Sequence, residues 1–212
     1  MPRWLWTLLF VGLIALAWVG RRPSAPEAIV AAGAPITCPP PPAFEDPTQP
    51  RQSPVGATLA PFRLGPARIA PLAGFSLQAR VLGREDYRLG NESRYSPTDL
   101  ALGWGPMAQP GMAEKLHITQ GGRWYRYSWD HRGPPLPPED VVRNSTNMHM
   151  VPADGSVARA LAAVRPDDTV RVDGWLIRIE QDDGWRGQSS TSRDDSGAGA
   201  CELILVCSIR TM

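Results

Sequence analysis

Cysteine and histidine are scarce in this chain, three of each in 212 residues. Cys201 opens an apolar stretch, CELILVCSIR, directly after the hydroxyl- and charge-rich run SSTSRDDSGAGA. A cysteine nucleophile needs a neighbouring base and a donor for the oxyanion that forms when it attacks a carbonyl. His149, in NMHMVP, has the right chemistry for the base, and Arg193 or Arg210 for the oxyanion donor. The catalytic reading of the chain is therefore Cys201, His149 and Arg210. The same run also reads as a structural corner. Ser and Thr end one strand, Asp-Asp-Ser-Gly turns the chain, and Gly-Ala-Gly-Ala lets another backbone approach closely.

Other constellations are weaker. Asp194 and Asp195, near Glu202, have the chemistry for a hard cation or an acid/base pair. Adjacent side chains diverge, however, and Arg193 is at hand to neutralise one, so a solvated turn is the simpler reading. No CxxC, HxH or HExxH spacing occurs, and neither a metal nor a cofactor is expected. Tyr125, Tyr127 and Trp129 share a strand face with Arg123 and Arg126 interleaved. That pattern suits stacking on a ligand, but also a strand with an aromatic core and a charged rim. Cys201 and Cys207 are six apart on one strand, about 20 Å at full extension, and cannot bridge each other. Cys38 is expected to pair with Cys201 at the strand mouth, leaving Cys207 as a packing cysteine.

These residues have to be carried by a scaffold. Residues 4–20 run without a charge, with Trp4, Trp6 and Trp18 near the ends. At a rise of about 1.5 Å each they would span roughly 26 Å, so 1–22 is expected to be an uncleaved transmembrane anchor in the lipid bilayer. Residues 23–57, with CPPPP, EDPTQP and RQSP, read as a Pro-rich tether. A globular domain is expected over 58–212, held outside the cytoplasm on a bacterial inner membrane, in the periplasm. The 22 basic and 21 acidic side chains nearly cancel, and nucleic acid is disfavoured as a partner.

Within the domain, FSLQARVL (75–82) alternates as a strand, and SPTDLALG (96–103) carries the cap, first-turn proline and stop of a short helix. KLHIT (115–119) and GRWYRYSW (122–129) suggest a hairpin turning at Gly121-Gly122. SVARALAAV (156–164) is the best helix, capped by Asp154 or Ser156. In PDDTVRVDGWLIRIE the apolar parity changes across Gly174, which predicts a bulge or sharp bend there. The last strand puts Cys201, Leu203, Leu205, Cys207 and Ile209 on one face. The fold class is α+β and β-rich: a small, partly closed β-barrel with one or two short helices.

The segments DLALGWGPM, GWLIRI and SRDDSGAGACEL resemble a family of uncharacterised single-pass bacterial envelope proteins, which implies an envelope location and no particular activity. The order anchor, spacer, His149, helix, Cys201, Arg210 also resembles the sortases, membrane-anchored cysteine transpeptidases. That resemblance implies base or acid, nucleophile and oxyanion stabiliser for His149, Cys201 and Arg210. Sortases place their cysteine after a strand in a TLxTC signature, whereas GAGAC here precedes one. Two functions follow. One is a tethered domain binding an envelope protein, peptide or glycan through the WGPMAQPGM loop (Trp104, Met107) and the SRDDSGAGA loop (Arg193, Asp194, Asp195). The other is a cysteine enzyme, favoured by a free Cys201 within hydrogen-bond reach of His149.

Overall fold

A computed structural model describes Trp4, Cys38, Asp46 and residues 48–55, 59–192 and 200–212. The expected anchor lies outside the described residues apart from Trp4, as do Arg193, Asp194 and Asp195. Among the described residues no helix is long and apolar enough to cross a membrane.

The chain is β-rich with few helices. Its strands are β1 (Arg51–Ser53), β2 (Phe62–Leu64), β3 (Ala67–Asp86), β4 (Thr98–Gly103), β5 (Thr119–Gly121), β6 (Trp124–Arg126), β7 (Ser145–Pro152), β8 (Thr169–Gln181), β9 (Arg186–Gln188) and β10 (Glu202–Thr211). The helices are α1 (Met112–Lys115), α2 (Pro138–Arg143) and α3 (Gly155–Ala163). The main sheet runs β1-β3-β4-β7-β10-β8-β9, and β3 also pairs with β8, so the middle of the sheet closes on itself as a ring. Around that ring β8, β3, β4 and β7 follow in Greek-key order, the fourth strand returning beside the first. β7 and β10 form the parallel contact. β1 pairs with β3 although it falls inside the stretch read as tether.

Two cores explain the pattern around Gly174. Val170, Val172 and Leu176 of β8 join Phe75, Leu77, Leu100, Leu102, Met148, Met150, Ile204 and Val206, so every ring strand feeds this core. Trp175, Ile177 and Ile179 point to the other side of the strand and pack with Leu64, Ile69, Leu203 and Leu205. β8 thus buries one face along its first half and both near its middle, and needs no inserted residue of its own. The expected bulge at Gly174 is instead found in both neighbours, where register shifts leave Leu72 of β3 and Cys207 of β10 as the extra residues. Gly174 is required for close approach: a Cβ there would overlap the carbonyl oxygen of Leu205 and lie 3.1 Å from its carbon. The bulge at Cys207 also turns Ile209 onto the face of Ile204 and Val206, not that of Leu203 and Leu205.

The segment 96–103 is not a helix. Thr98–Gly103 is β4, paired on both edges with β3 and β7, and this ladder overrides the local capping signals. The helix over 156–164 is present as α3, with the Asp154 carboxylate accepting from the N–H groups of Ser156 and Val157. The hairpin is present as β5–β6, its first strand confined to Thr119–Gly121 and its turn at Gly122-Arg123. Trp104 and Met107 are buried in two cores, 2% and 0% exposed, so the WGPMAQPGM loop does not present them as a contact surface.

The disulfide is Cys38–Cys207, with Cα atoms 5.6 Å apart, and Cys201 is the free cysteine. The expected Cys38–Cys201 pair is corrected for a packing reason. Cys38, Val55, Leu59 and Phe62 lie against the second core, where the bulge in β10 leaves Cys207, whereas Cys201 is held elsewhere.

Candidate functional site

Strand register brings residues far apart in sequence into one row. Asp99 of β4 stands directly opposite His149 of β7, and His149 is paired in turn with Leu203 of β10. Cys201 lies two residues before Leu203 and lines the same cleft as His149. The sulfur is also 3.9 Å from the backbone carbonyl of Arg123, toward which the thiol can donate.

Asp99 is fully buried and holds the centre of the cluster. Its Oδ1 lies 2.9 Å from Nδ1 of His149 and accepts from Nη1 of Arg123 at 2.7 Å. The N–H direction of His149 is bent away from the carboxylate oxygen, so this contact is ionic more than a straight hydrogen bond. Oδ2 accepts from Nδ2 of Asn147 at 3.2 Å, and Asn147 accepts from Nε2 of Gln120 at 2.8 Å. Glu92, on the short 3-10 turn Glu92–Arg94, adds a second carboxylate 3.8 Å from His149 and 3.7 Å from Arg123.

Arg123 reaches this site from a turn that ordinarily selects glycine. Gly122 and Arg123 connect paired Gly121 and Trp124 with φ of 58° and 69°, both left-handed, as a two-residue hairpin loop demands. Such a φ at a non-glycine residue costs of order 1 kcal/mol and persists only where surroundings enforce it. Here they do. The guanidinium donates to Asp99 and to the carbonyl of Ser96 at 2.8 Å, and lies 3.8 Å over the Tyr87 ring. The Arg123 N–H donates to the Tyr87 hydroxyl at 3.0 Å. Burial pushes that hydroxyl up to about 12, which keeps it a neutral phenol.

Burial alone would lower the pKa of His149. The contacts with Asp99 and Cys201 and the charges of Asp99 and Glu92 outweigh it and raise the imidazole to about 10. His149 is therefore an imidazolium at neutral pH, an acid beside a free thiol.

The cluster opens into a cleft of about 350 Å³ lined by Cys201, Leu203, His149, Glu92, Arg123, Trp124 and Trp185 to Gln188. Arg210 is absent from it. Its side chain is 64% exposed and lies 4.0 Å from the Asp173 carboxylate; β10 carries it to the far end of the strand, so the structure does not bring Arg210 to Cys201 as the oxyanion reading expected. Glu202 also turns away, buried and accepting from the Thr146 hydroxyl. Among the described residues no group of three or more His, Cys, Asp or Glu is arranged to hold a metal ion.

Comparison of the chain with family models, curated proteins and solved structures finds no match in any of the three. The reading of the site therefore rests on its own geometry. Sequence reasoning located Cys201 and His149 but missed Asp99, Arg123 and Asn147. A signal for Arg123 was present: an arginine following two glycines in a tight hairpin occupies a position whose backbone it does not favour.

Proposed function

We propose that the protein is a cysteine-dependent acyl hydrolase or acyltransferase in which Cys201 is the nucleophile, His149 the acid and then base, and Asp99 the residue that holds His149. The observation that carries this reading is a free cysteine sharing one cleft with an imidazolium that lies 2.9 Å from a fully buried carboxylate. Nucleophile and acid/base thus line one cleft, with the orienting carboxylate buried against the imidazole, the arrangement shared by thiol and serine acyl-transfer enzymes on unrelated folds.

In the proposed reaction Cys201 loses its thiol proton to solvent and attacks an acyl carbonyl as the thiolate, forming an S–C bond while the C=O π pair moves onto oxygen. Collapse of that adduct breaks the bond to the leaving group, which takes the proton from His149. The neutral imidazole then takes a proton from water or a second acceptor nucleophile as it attacks the thioester, and Cys201 is regenerated. Arg123 keeps its guanidinium on Asp99 and so contributes positive potential near the developing oxyanion.

The architecture supports the location of this site. The ring would form a small, partly closed five-stranded Greek-key barrel of the OB type, which binds ligands on its second and third strands and on the loop between the fourth and fifth. Asp99 and His149 lie on β4 and β7, the second and third ring strands in sequence, and Cys201 ends the connection from β8 to β10.

We further propose that the domain is tethered to the bacterial inner membrane through 1–22 and works in the periplasm. A Cys38–Cys207 disulfide suits an oxidising compartment. It also shortens the free tether, because Arg22 to Cys38 spans roughly 55 Å at full extension.

The test is reaction with 4-nitrophenyl acetate followed by intact mass. A burst of nitrophenolate matched by a single acetyl group on Cys201 is expected, lost in Cys201→Ser and strongly slowed in His149→Gln, with Arg210→Ala indistinguishable from the parent. Acetylation of Cys201 no faster in the folded protein than after unfolding would remove the proposal.

A further inference from the structure

We infer that the substrate is an extended polypeptide segment that adds as a strand to the outward edge of β9, which carries its carbonyl to Cys201. The inference rests on the cysteine reading above and supplies its substrate class.

β9 ends the path of the sheet, and among the described residues it pairs only with β8. The register sets Gly187 opposite Ile179, with Gln188 opposite Arg178 and Arg186 opposite Glu180. Backbone bonds flank this ladder on both sides: Gln181 N–H donates to Trp185 at 2.9 Å, and Ser189 N–H donates to Ile177 at 3.0 Å. In an antiparallel pair, bonded positions alternate every two residues, so Gly187 bonds inward to Ile179. The N–H and C=O of Arg186 and Gln188 consequently point away from β8. A row of outward backbone donors and acceptors is the template on which another strand pairs.

Three features direct that template at the reactive thiol. β9 and the Cys201–His149 pair line the same cleft. Ser190 N–H donates to the Cys201 carbonyl at 3.1 Å, which ties the chain leaving β9 to the nucleophile. Gly187 has no side chain, and one there would press on Trp185 at 3.1 Å and Leu203 at 3.4 Å in the cleft wall. Trp124, 41% exposed, and Trp185, stacked on Tyr95, give apolar surfaces on which alternate side chains of an added strand can rest. A glycan would use the two indoles but leave the outward backbone groups unmatched.

The experiment compares alkylation of Cys201 in the full chain by acetyl-tetra-alanyl chloromethyl ketone, where the sulfur displaces chloride, with alkylation by iodoacetamide. Each rate is normalised to that of the same reagent with free cysteine. Two added backbone hydrogen bonds, at roughly tenfold each, give an expected advantage of about a hundredfold for the peptidyl reagent. The same reagent with N-methylated alanines, which leaves the protein unaltered, is expected to lose most of that advantage. Equal normalised rates for methylated and unmethylated peptides overturn the edge-strand proposal, as does protection of the thiol by a chitin tetramer without any peptidyl advantage. In either case, slow iodoacetamide reaction in His149→Gln leaves the cysteine reading standing. If neither reagent depends on His149, it is the cysteine reading that falls.

Discussion

The buried carboxylate Asp99 is the most informative residue to perturb, because its removal changes stability and its pH dependence in ways that are linked. In the native protein Asp99 neutralises both Arg123, at 2.7 Å, and the His149 imidazolium, at 2.9 Å. Asp99→Asn keeps the shape but leaves these two cations facing each other with only Glu92, at 3.7 and 3.8 Å, to offset them. Removing one partner of a buried ion pair typically costs about 3–5 kcal/mol, and that range is expected near pH 6. The folded-state pKa of His149, about 10, lies above its ordinary value. A raised histidine contributes stability that is fully present below roughly pH 6.5 and is lost as the pH climbs through the folded value. Across that window the native imidazole holds up to one proton more than the unfolded one, so this histidine lowers the unfolding free energy by up to about 1.4 kcal/mol per pH unit. Asp99→Asn removes the cause of the raised pKa and with it most of the slope. The gap between parent and variant should therefore be widest near pH 6 and narrow toward pH 10. Urea denaturation at several pH values measures both quantities. Parallel stability curves for parent and Asp99→Asn would refute the argument that Asp99 holds the proton on His149.

Two further outcomes concern the scaffold. Gly174→Ala drives a methyl group into the Leu205 backbone and must displace β10 from β8, with an expected loss of about 3 kcal/mol or more, read as a fall in the denaturation midpoint. Cys38→Ala, or reduction of the parent, is expected to cost about 2–4 kcal/mol by freeing a 169-residue loop, while iodoacetamide labelling of folded Cys201 keeps its dependence on His149.

The limits of the sequence reading have physical causes. Alternation in 75–82 and the apolar stretch of 201–210 identify strands because each packs its side chains against a continuous core. The helix at 156–164 was legible because its apolar spacing and its Asp154 cap agree. TDLALG was misread because Ser96, Pro97 and Gly103 supply local helix signals, while the ladders to β3 and β7 that overrule them involve residues at distant positions. The misreading hid Asp99. As a helix residue it merely favours the positive end of the helix; as a strand residue between Thr98 and Leu100 it is a carboxylate driven into the protein, which must find cations.

Cysteine and histidine were noticed because they are rare, yet rarity cannot pair them. Asp99, His149 and Cys201 are separated by about fifty residues at each step, and only the register β4–β7–β10 brings them into one row. Arg210 was named from its place in the order shared with the sortases, but it sits on the strand begun by Cys201, which carries it away at over 3 Å per residue. The positive charge comes instead from Arg123, presented by a hairpin inserted between β4 and β7. That hairpin adds little to the main cores, and its turn holds a residue in a conformation glycine would adopt more readily. A scaffold needing only stability could place glycine there. The arginine brings a guanidinium to a buried carboxylate that in turn holds an imidazolium against a free thiol, and this coupling of unfavourable backbone, buried charge and nucleophile is the argument for chemistry at Cys201.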